Sequence, residues 1–424
     1  MFSLSGTLML CLPGALLAAA QVEFHKDVTP VLRKHCQGCH RPGEPAPFSM
    51  LTYKDTRPWA KAIRAAVVAR KMPPWFANPA HGEFQNDSRL NDKEIETITK
   101  WVDTGAVEGD PAKAPKALAF DQGWRIGKPD LIVEIPADFP IPKDGVVDYT
   151  WFAADMKLTE DKWIEKLQVI PGSREHVHHA LIFARAPGSK FRPTLQPGGV
   201  TSRPEIRPEK LPPQSDKGSF AIGVGLGAAE MIGDYVPNGD PYIAEPGQGR
   251  FVKAGSHMLF QMHYTPNGKP ATDRTRVGIV FAKTPPTERV INDAVINTTL
   301  RIPPGEPNHP VTALVTVPRD TKIGAFGPHM HLRGKAMRVE LLRAGQDPKV
   351  LLDVPAYDFN WQLKYQPKDW VTVRKGDQLR VTAWYDNSPN NRYNPDPKRE
   401  VPWGDQSTDE MLFAFFDYVI PAQP

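Results

Sequence analysis

Forty-five prolines spread over 424 residues, about twice ordinary usage, constrain this chain more than any other feature. Each proline fixes φ and removes a backbone donor, so long helices give way to short strands joined by rigid loops. A mainly β protein is expected. At roughly 150 residues per domain the length accommodates about three domains with real cores. The 52 basic and 48 acidic side chains leave a net charge of only +4, mixed along the chain, so no basic face for nucleic acid is implied.

The first residues, MFSLSGTLMLCLPGALLAAAQ, carry an apolar run followed by Ala18-Ala19-Ala20. That pattern fits a signal peptide over 1–20 cleaved before Gln21, although no Lys or Arg precedes the run. The run is too short for a transmembrane segment, which needs about 20 apolar residues. Periplasmic or secreted localisation follows as an expectation. Cys11 would leave with the leader, so Cys36 and Cys39 alone remain and a disulfide framework is excluded.

Residues 21–110 carry helical patterning in VTPVLRKH, RPWAKAIRAAVVARK and NDKEIETITKWVDTG. The last has Asn91 as N-cap, Glu94 three positions on as a capping box, and Gly105 as a stop. Residues 111–129 read as linker. Beyond them the period changes to short alternating segments bounded by Pro, Gly, Asn and Asp, the pattern of antiparallel sandwiches. Among these are LIVEIP, MLFQMHY, RVGIVFA, VTALVTVP, QLRVTAWYD and MLFAFFDYV; Asp161 to Leu167 fits either strand or helix. The Pro-rich AKTPPTE stretch divides the β region into 130–283 and 284–424. Residues 186–249 read as a long loop-rich excursion, whose GVGLG has neither the spacing nor the setting of a dinucleotide fingerprint.

Two chemistries stand out. HCQGCH places Cys36, Cys39 and His40 in the C-x-x-C-H arrangement of covalent c-type haem attachment. Two thiols three positions apart on one helical turn can reach the two vinyl groups while the adjacent imidazole meets the iron. Zinc would need a second ligand pair, and a thioredoxin-like site a βαβ context. Met72, on a Pro-Pro loop after a helix, is the favoured sixth ligand, with Met50, His25 and His81 as competitors. This segment resembles a small monohaem cytochrome c, MPPW being similar to the Met-bearing loop of many bacterial versions.

The second chemistry lies in the β region, where eight of 12 histidines fall between 176 and 331. Three groups stand out among them: His176, His178 and His179 in HVHHALIF, His257 and His263 in HMLFQMHY, and His329 and His331 in GPHMHLRG. Positions i and i+2 of a strand share a face, so His329 and His331 can grip one ion. Adjacent His178 and His179 can share one only across a bulge or at a strand end. A thioether beside two imidazoles points to Cu(I), and Met411 in STDEMLFAFFDYV supplies it.

VHHALIF, FQMHYTPNG, HMHLRG and STDEMLFAFFDY together resemble, in order and local context over residues 130–424, the type II copper, ascorbate-dependent monooxygenases of the peptidylglycine α-hydroxylating and dopamine β-monooxygenase group. The resemblance implies two packed antiparallel, jelly-roll-like β-sandwiches with a copper on each facing side, two cation sites set apart across solvent. His178, His179 and His263 would hold an electron-relay copper, and His329, His331 and Met411 an oxygen-binding copper. No family counterpart is identified for His176, His257 or His309.

Two departures matter. The family relies on disulfides, whereas no cysteine follows Cys39. The peptide-amidating branch clamps a substrate carboxylate with a basic residue two before H-x-H and with Asn and Tyr two and four beyond the methionine; here those places hold Gly327, Phe413 and Phe415. An apolar or aromatic substrate pocket is therefore expected. The chain as a whole reads as an exported copper monooxygenase with O2 and a small molecule as substrates. Electrons would come from an ascorbate-like reductant or redox protein through the fused haem. Alternatives are a non-catalytic haem/copper electron-transfer protein and a zinc hydrolase.

Overall fold

The computed structural model describes residues 21–120, 123–189, 200–201, 229–237, 239–404 and 406–422. The leader at 1–20 and GVGLG lie outside the described residues, as does most of the 186–249 excursion. No helix among the described residues is long and apolar enough to cross a membrane.

The helical part forms as its patterning dictates. Thr29–His35 precedes the cysteines, Ala60–Val68 follows them, and Asp92–Asp103 closes the unit. Asn91 and Glu94 exchange the two hydrogen bonds of a capping box, satisfying donors that the first helical turn would leave bare. At the other end Gly105 takes φ +102°, a conformation that glycine adopts without steric penalty. Phe24 packs on Trp101 with ring centroids 5.7 Å apart. Val28, Leu32, Met50, Ile63 and Ile98 complete a small apolar core.

One part of this segment leaves the unit. Beyond Met72 the chain crosses to the far β-sandwich, where Trp75 meets Tyr365 at 4.8 Å and Phe84 bridges to Pro367. Asn78 and Asn86 bond to Asp353 and Lys364 respectively. Trp75 and Ala77 are thus members of the C-terminal core.

The β region is layered as two sandwiches. In the first half, the sheet Leu131–Glu134, Arg276–Phe281, Lys162–Ile170, Gln248–Val252 faces a five-stranded sheet containing Thr150–Asp155, His257–Tyr264, Val177–Arg185 and Ala229–Tyr235. Lys162–Ile170 resolves the ambiguous segment as strand. Ile164, Leu167 and Ile279 from one layer pack against Ile182, Phe260 and Met262 from the other. In the second half, Glu288–Ile296, Phe413–Pro421, Thr321–His329 and Val371–Val373 face a four-stranded sheet of His309–Thr316, Gln378–Tyr385, Gly334–Leu342 and Lys349–Val354.

The halves are not independent sheets. Gln248–Val252 pairs in parallel with Glu288–Ile296, making one nine-stranded sheet that runs through both sandwiches. The junction is therefore parallel where a purely antiparallel layout is expected from sequence.

Candidate metal centres

His178 and His179 begin the strand Val177–Arg185, and His263 lies near the end of His257–Tyr264. The antiparallel register sets His263 opposite His179, then skips His178 so that Tyr264 faces Val177. This bulge lets two adjacent residues turn toward one point, which a regular strand forbids. Ligand atoms of all three imidazoles lie within 4.8 Å of one another.

His178 Nδ1 and His179 Nδ1 are 3.1 Å apart, close to the separation of two nitrogens that each sit about 2.0 Å from a shared ion. His263 Nδ1 is buried and has no hydrogen-bond partner, a condition that normally carries an energetic penalty. The donor set thus fits a metal. Burial holds the His178 imidazole down at about 4 and that of His179 and His263 well below the usual range, so all three are neutral near pH 7. Phe359 stacks on His178 at 5.5 Å, and Tyr149 covers His263 at 4.7 Å.

His329 and His331 straddle the end of Thr321–His329, their rings 5.3 Å apart and nearly perpendicular. Each has one nitrogen committed. His329 Nδ1 is 2.7 Å from Gln362 Oε1, and His331 Nδ1 is 3.2 Å from the Asp409 carbonyl. Since both partners accept, Nδ1 carries the proton and Nε2 keeps its lone pair. Burial pushes these imidazoles down to about 4 and about 3.

Met411 precedes its strand rather than lying within it. His329 pairs with Phe413 and Gly327 with Phe415, and the ladder ends there, two residues short of His331 and Met411. Glu410 fastens this arrangement. Wholly buried, its carboxylate accepts from the backbone amides of His331 (2.8 Å) and Arg333 and, more weakly, of Met411 (3.3 Å). Burial raises its carboxyl to about 8, against the pull of those donors and of Arg333.

The two clusters adjoin. The ring centroids of His179 and His329 are 6.5 Å apart, which corrects the expectation of sites set apart across solvent: the interface between sandwiches brings both faces together. Beside them opens a narrow cleft of about 50 Å³ lined by Leu181, Met231, Leu363 and Phe415, with Asp234, Lys364 and Asp417 at its polar end. Phe413 lies in the C-terminal core instead, so one of the two rings expected in a pocket reaches it. A Cβ at Gly327 would stand 3.2 Å from the Phe415 Cβ, tighter than ordinary contact.

His176 serves the local fold, bonding Ser173 Oγ at 2.8 Å and Asn267 Oδ1 at 2.9 Å. His257 and His309 stand at strand starts, outside both clusters. Sequence reading passes over Gln362, Phe359, Tyr149 and Glu410. Of these, only Glu410 carries a signal, as an acid placed directly before Met411 at the start of a hydrophobic run.

In the helical part, Cys39 and His40 both donate backbone bonds to the Cys36 carbonyl, at 3.1 and 2.9 Å, so both thiols and the imidazole leave one turn. Both cysteines are free. His40 Nδ1 lies 3.1 Å from the Phe48 carbonyl, leaving Nε2 as acceptor; these residues fit a covalently attached haem. Met72 is half-buried at the start of the crossing loop, while Met50 is buried and bonds the His40 carbonyl through its amide. His25 pairs with Glu108, and His81 closes a turn on Asn78.

Residues 295–423 match the family model of the copper type II ascorbate-dependent monooxygenase C-terminal domain. MOXD1 homolog 1 of Drosophila melanogaster is 24% identical over 261 residues, 58% of this chain and 35% of that protein. DBH-like monooxygenase protein 1 of Homo sapiens is 32% identical over 91 residues, 21% of this chain and 14% of its own length. The chain therefore matches well under two thirds of either relative. Among solved structures, the major capsid protein P2 of bacteriophage PM2 aligns at 10% identity over 69% of this chain and 98% of its own, with a TM-score of 0.24, too slight a likeness to bear on function. From residue 295 onward the chain is similar to the C-terminal domain of the copper type II ascorbate-dependent monooxygenases, and that is the family the comparisons support.

Proposed function

We propose that the protein is an exported copper-dependent monooxygenase that hydroxylates a C–H bond of a neutral, largely apolar small molecule, fed with electrons through a c-type haem. The observation that carries this reading is the meeting of two neutral, metal-competent imidazole clusters at the wall of an apolar cleft. His178, His179 and His263 would hold the relay copper and His329, His331 and Met411 the second; Cys36, Cys39 and His40 would hold the haem, with Met72 as sixth ligand. Bound copper would supply one-electron redox chemistry and a site for O2.

The chain's own groups do the rest. Buried neutral imidazoles accept a metal without first releasing a proton. Gln362 and the Asp409 carbonyl fix the tautomers of His329 and His331, and Phe359 and Tyr149 shield the other cluster from water. Leu181, Met231 and Phe415 would hold the substrate's apolar body. Lys364, the cation at the cleft's polar end, is already paired with Asp234 at 2.6 Å, which disfavours a carboxylate substrate. The balance is one substrate C–H, one O2, two electrons and two protons, giving one alcohol and one water; an ascorbate-like donor outside the chain supplies the electrons.

The test is stopped-flow. Haem reduced anaerobically and mixed with O2 is expected to oxidise rapidly in copper-loaded protein and far more slowly in copper-free protein, and neutral aromatic substrates should turn over in preference to short anionic ones. Equal haem oxidation with and without copper, or preference for anions, would contradict the reading.

A further inference from the structure

One contact between the helical part and the first sandwich serves neither metal cluster directly. Glu44, four residues beyond His40, has only 6% of its side chain exposed, yet its Oε1 takes two guanidiniums: Arg41 at 2.7 Å and Arg174 at 3.1 Å. Arg41 also lies 4.2 Å over the Phe120 ring. A carboxylate withdrawn from water in this way is held by its partners, and the geometry they set is correspondingly fixed.

Arg174 stands four residues before His178, in a loop pinned on both sides. The amides of Gly172 and Ser173 donate to Asp273 Oδ1 at 2.8 and 3.1 Å, while Asp273 Oδ2 accepts from Tyr264, the neighbour of His263. His176 anchors the other side through Ser173 and Asn267. Tyr235, whose register partner Ala180 follows His179, has a buried hydroxyl with no hydrogen-bond partner and lies within electrostatic reach of Glu44, Arg174 and Cys39. The turn carrying the C-x-x-C-H motif is thus fastened, through one ion cluster, to the loop that runs into the first histidine site.

We propose that the Arg41–Glu44–Arg174 cluster is a built-in electron-transfer dock, clamping the Cys36–His40 turn against the His178–His179 segment so that one electron passes between them within a single chain. This rests on the haem and copper assignments made above. The transfer would take one electron from haem iron(II), leaving iron(III), and deliver it to copper(II), giving copper(I). Arg174 is a positioning residue, touching neither metal.

The experiment uses the copper-loaded, haem-containing protein and its Arg174→Ala and Arg174→Lys variants. Haem is flash-reduced without O2 and its oxidation by copper(II) followed, alongside haem content, copper content and haem midpoint potential. The wild-type rate should be independent of protein concentration. Arg174→Ala should slow transfer by about tenfold or more with contents and potential unchanged, and Arg174→Lys should restore most of the rate. If Arg174→Ala does not fold, the neutral and similarly long Arg174→Gln takes its place. A transfer rate unaltered in the neutral variant, or a wild-type rate proportional to concentration, would overturn the dock. Wild-type protein lacking haem or copper would overturn the reading beneath it, and the dock with it.

Discussion

Met411→Leu is expected to lower turnover by more than about a hundredfold while leaving the fold almost untouched. Loss of a group that merely orients a ligand weakens metal sites by 10–100-fold, so loss of a ligand should exceed that range. Leucine nearly conserves volume, and such exchanges in a core usually cost less than about 1.5 kcal/mol. The backbone at this position is fixed independently, because Tyr385 donates its hydroxyl proton to the Met411 carbonyl at 2.8 Å. Alanine would be a poorer probe: Met411 is only 8% exposed, and a cavity there would cost about 2–5 kcal/mol. Competition with a chromophoric Cu(I) chelator, run beside thermal unfolding, separates the two effects. Unchanged Cu(I) affinity in the leucine variant would remove Met411 from the metal site.

Asp417→Ala should cost about 3–5 kcal/mol, the range for leaving a buried partner charge uncompensated. Asp417 accepts from Arg250 at 2.8 Å and from Asn292 at 2.8 Å, with the Lys364 ammonium at 3.8 Å. Arg250, at 2% exposure, comes from the first sandwich, and Lys364 from the second. The cluster fastens the interface on which both histidine sites stand. Burial alone would raise the Asp417 carboxyl, but Arg250 and Lys364 outweigh it and hold the group at about 2. Its contribution to stability should therefore be complete above the ordinary carboxylate value of about 4 and lost as pH falls through about 2. Urea unfolding of both proteins between neutral pH and pH 2 checks this. A difference below about 1 kcal/mol at pH 7, the range of an exposed pair, would show that the cluster does not secure the interface.

Strand alternation makes much of the architecture legible, because one face of each strand must be buried. VTALVTVP and QLRVTAWYD pair with each other as His309–Thr316 and Gln378–Tyr385. The helical segments are equally plain where capping chemistry and periodicity agree, as at Asn91, Glu94 and Gly105. The adjacency of His178 and His179 even specifies that the ladder must be broken there, and it is. What escapes is information held in long-range pairing. The parallel contact of Glu288 with Gln248 joins the two halves into one sheet, and no local pattern encodes it. Trp75 reads as part of a helical domain yet packs on Tyr365, 290 positions away in sequence. Gln362 and Phe359 sit in an irregular loop without periodicity, so only the folded chain reveals that they face His329 and His178.

If His178, His179 and His263 hold one copper and His329, His331 and Met411 another, metal analysis combined with copper K-edge X-ray absorption on the reduced protein should find two coppers per chain, nitrogen scatterers at imidazole distances, and a sulfur scatterer that disappears in Met411→Leu. One copper or none, or a spectrum in which that variant leaves the sulfur signal unchanged, would contradict that assignment.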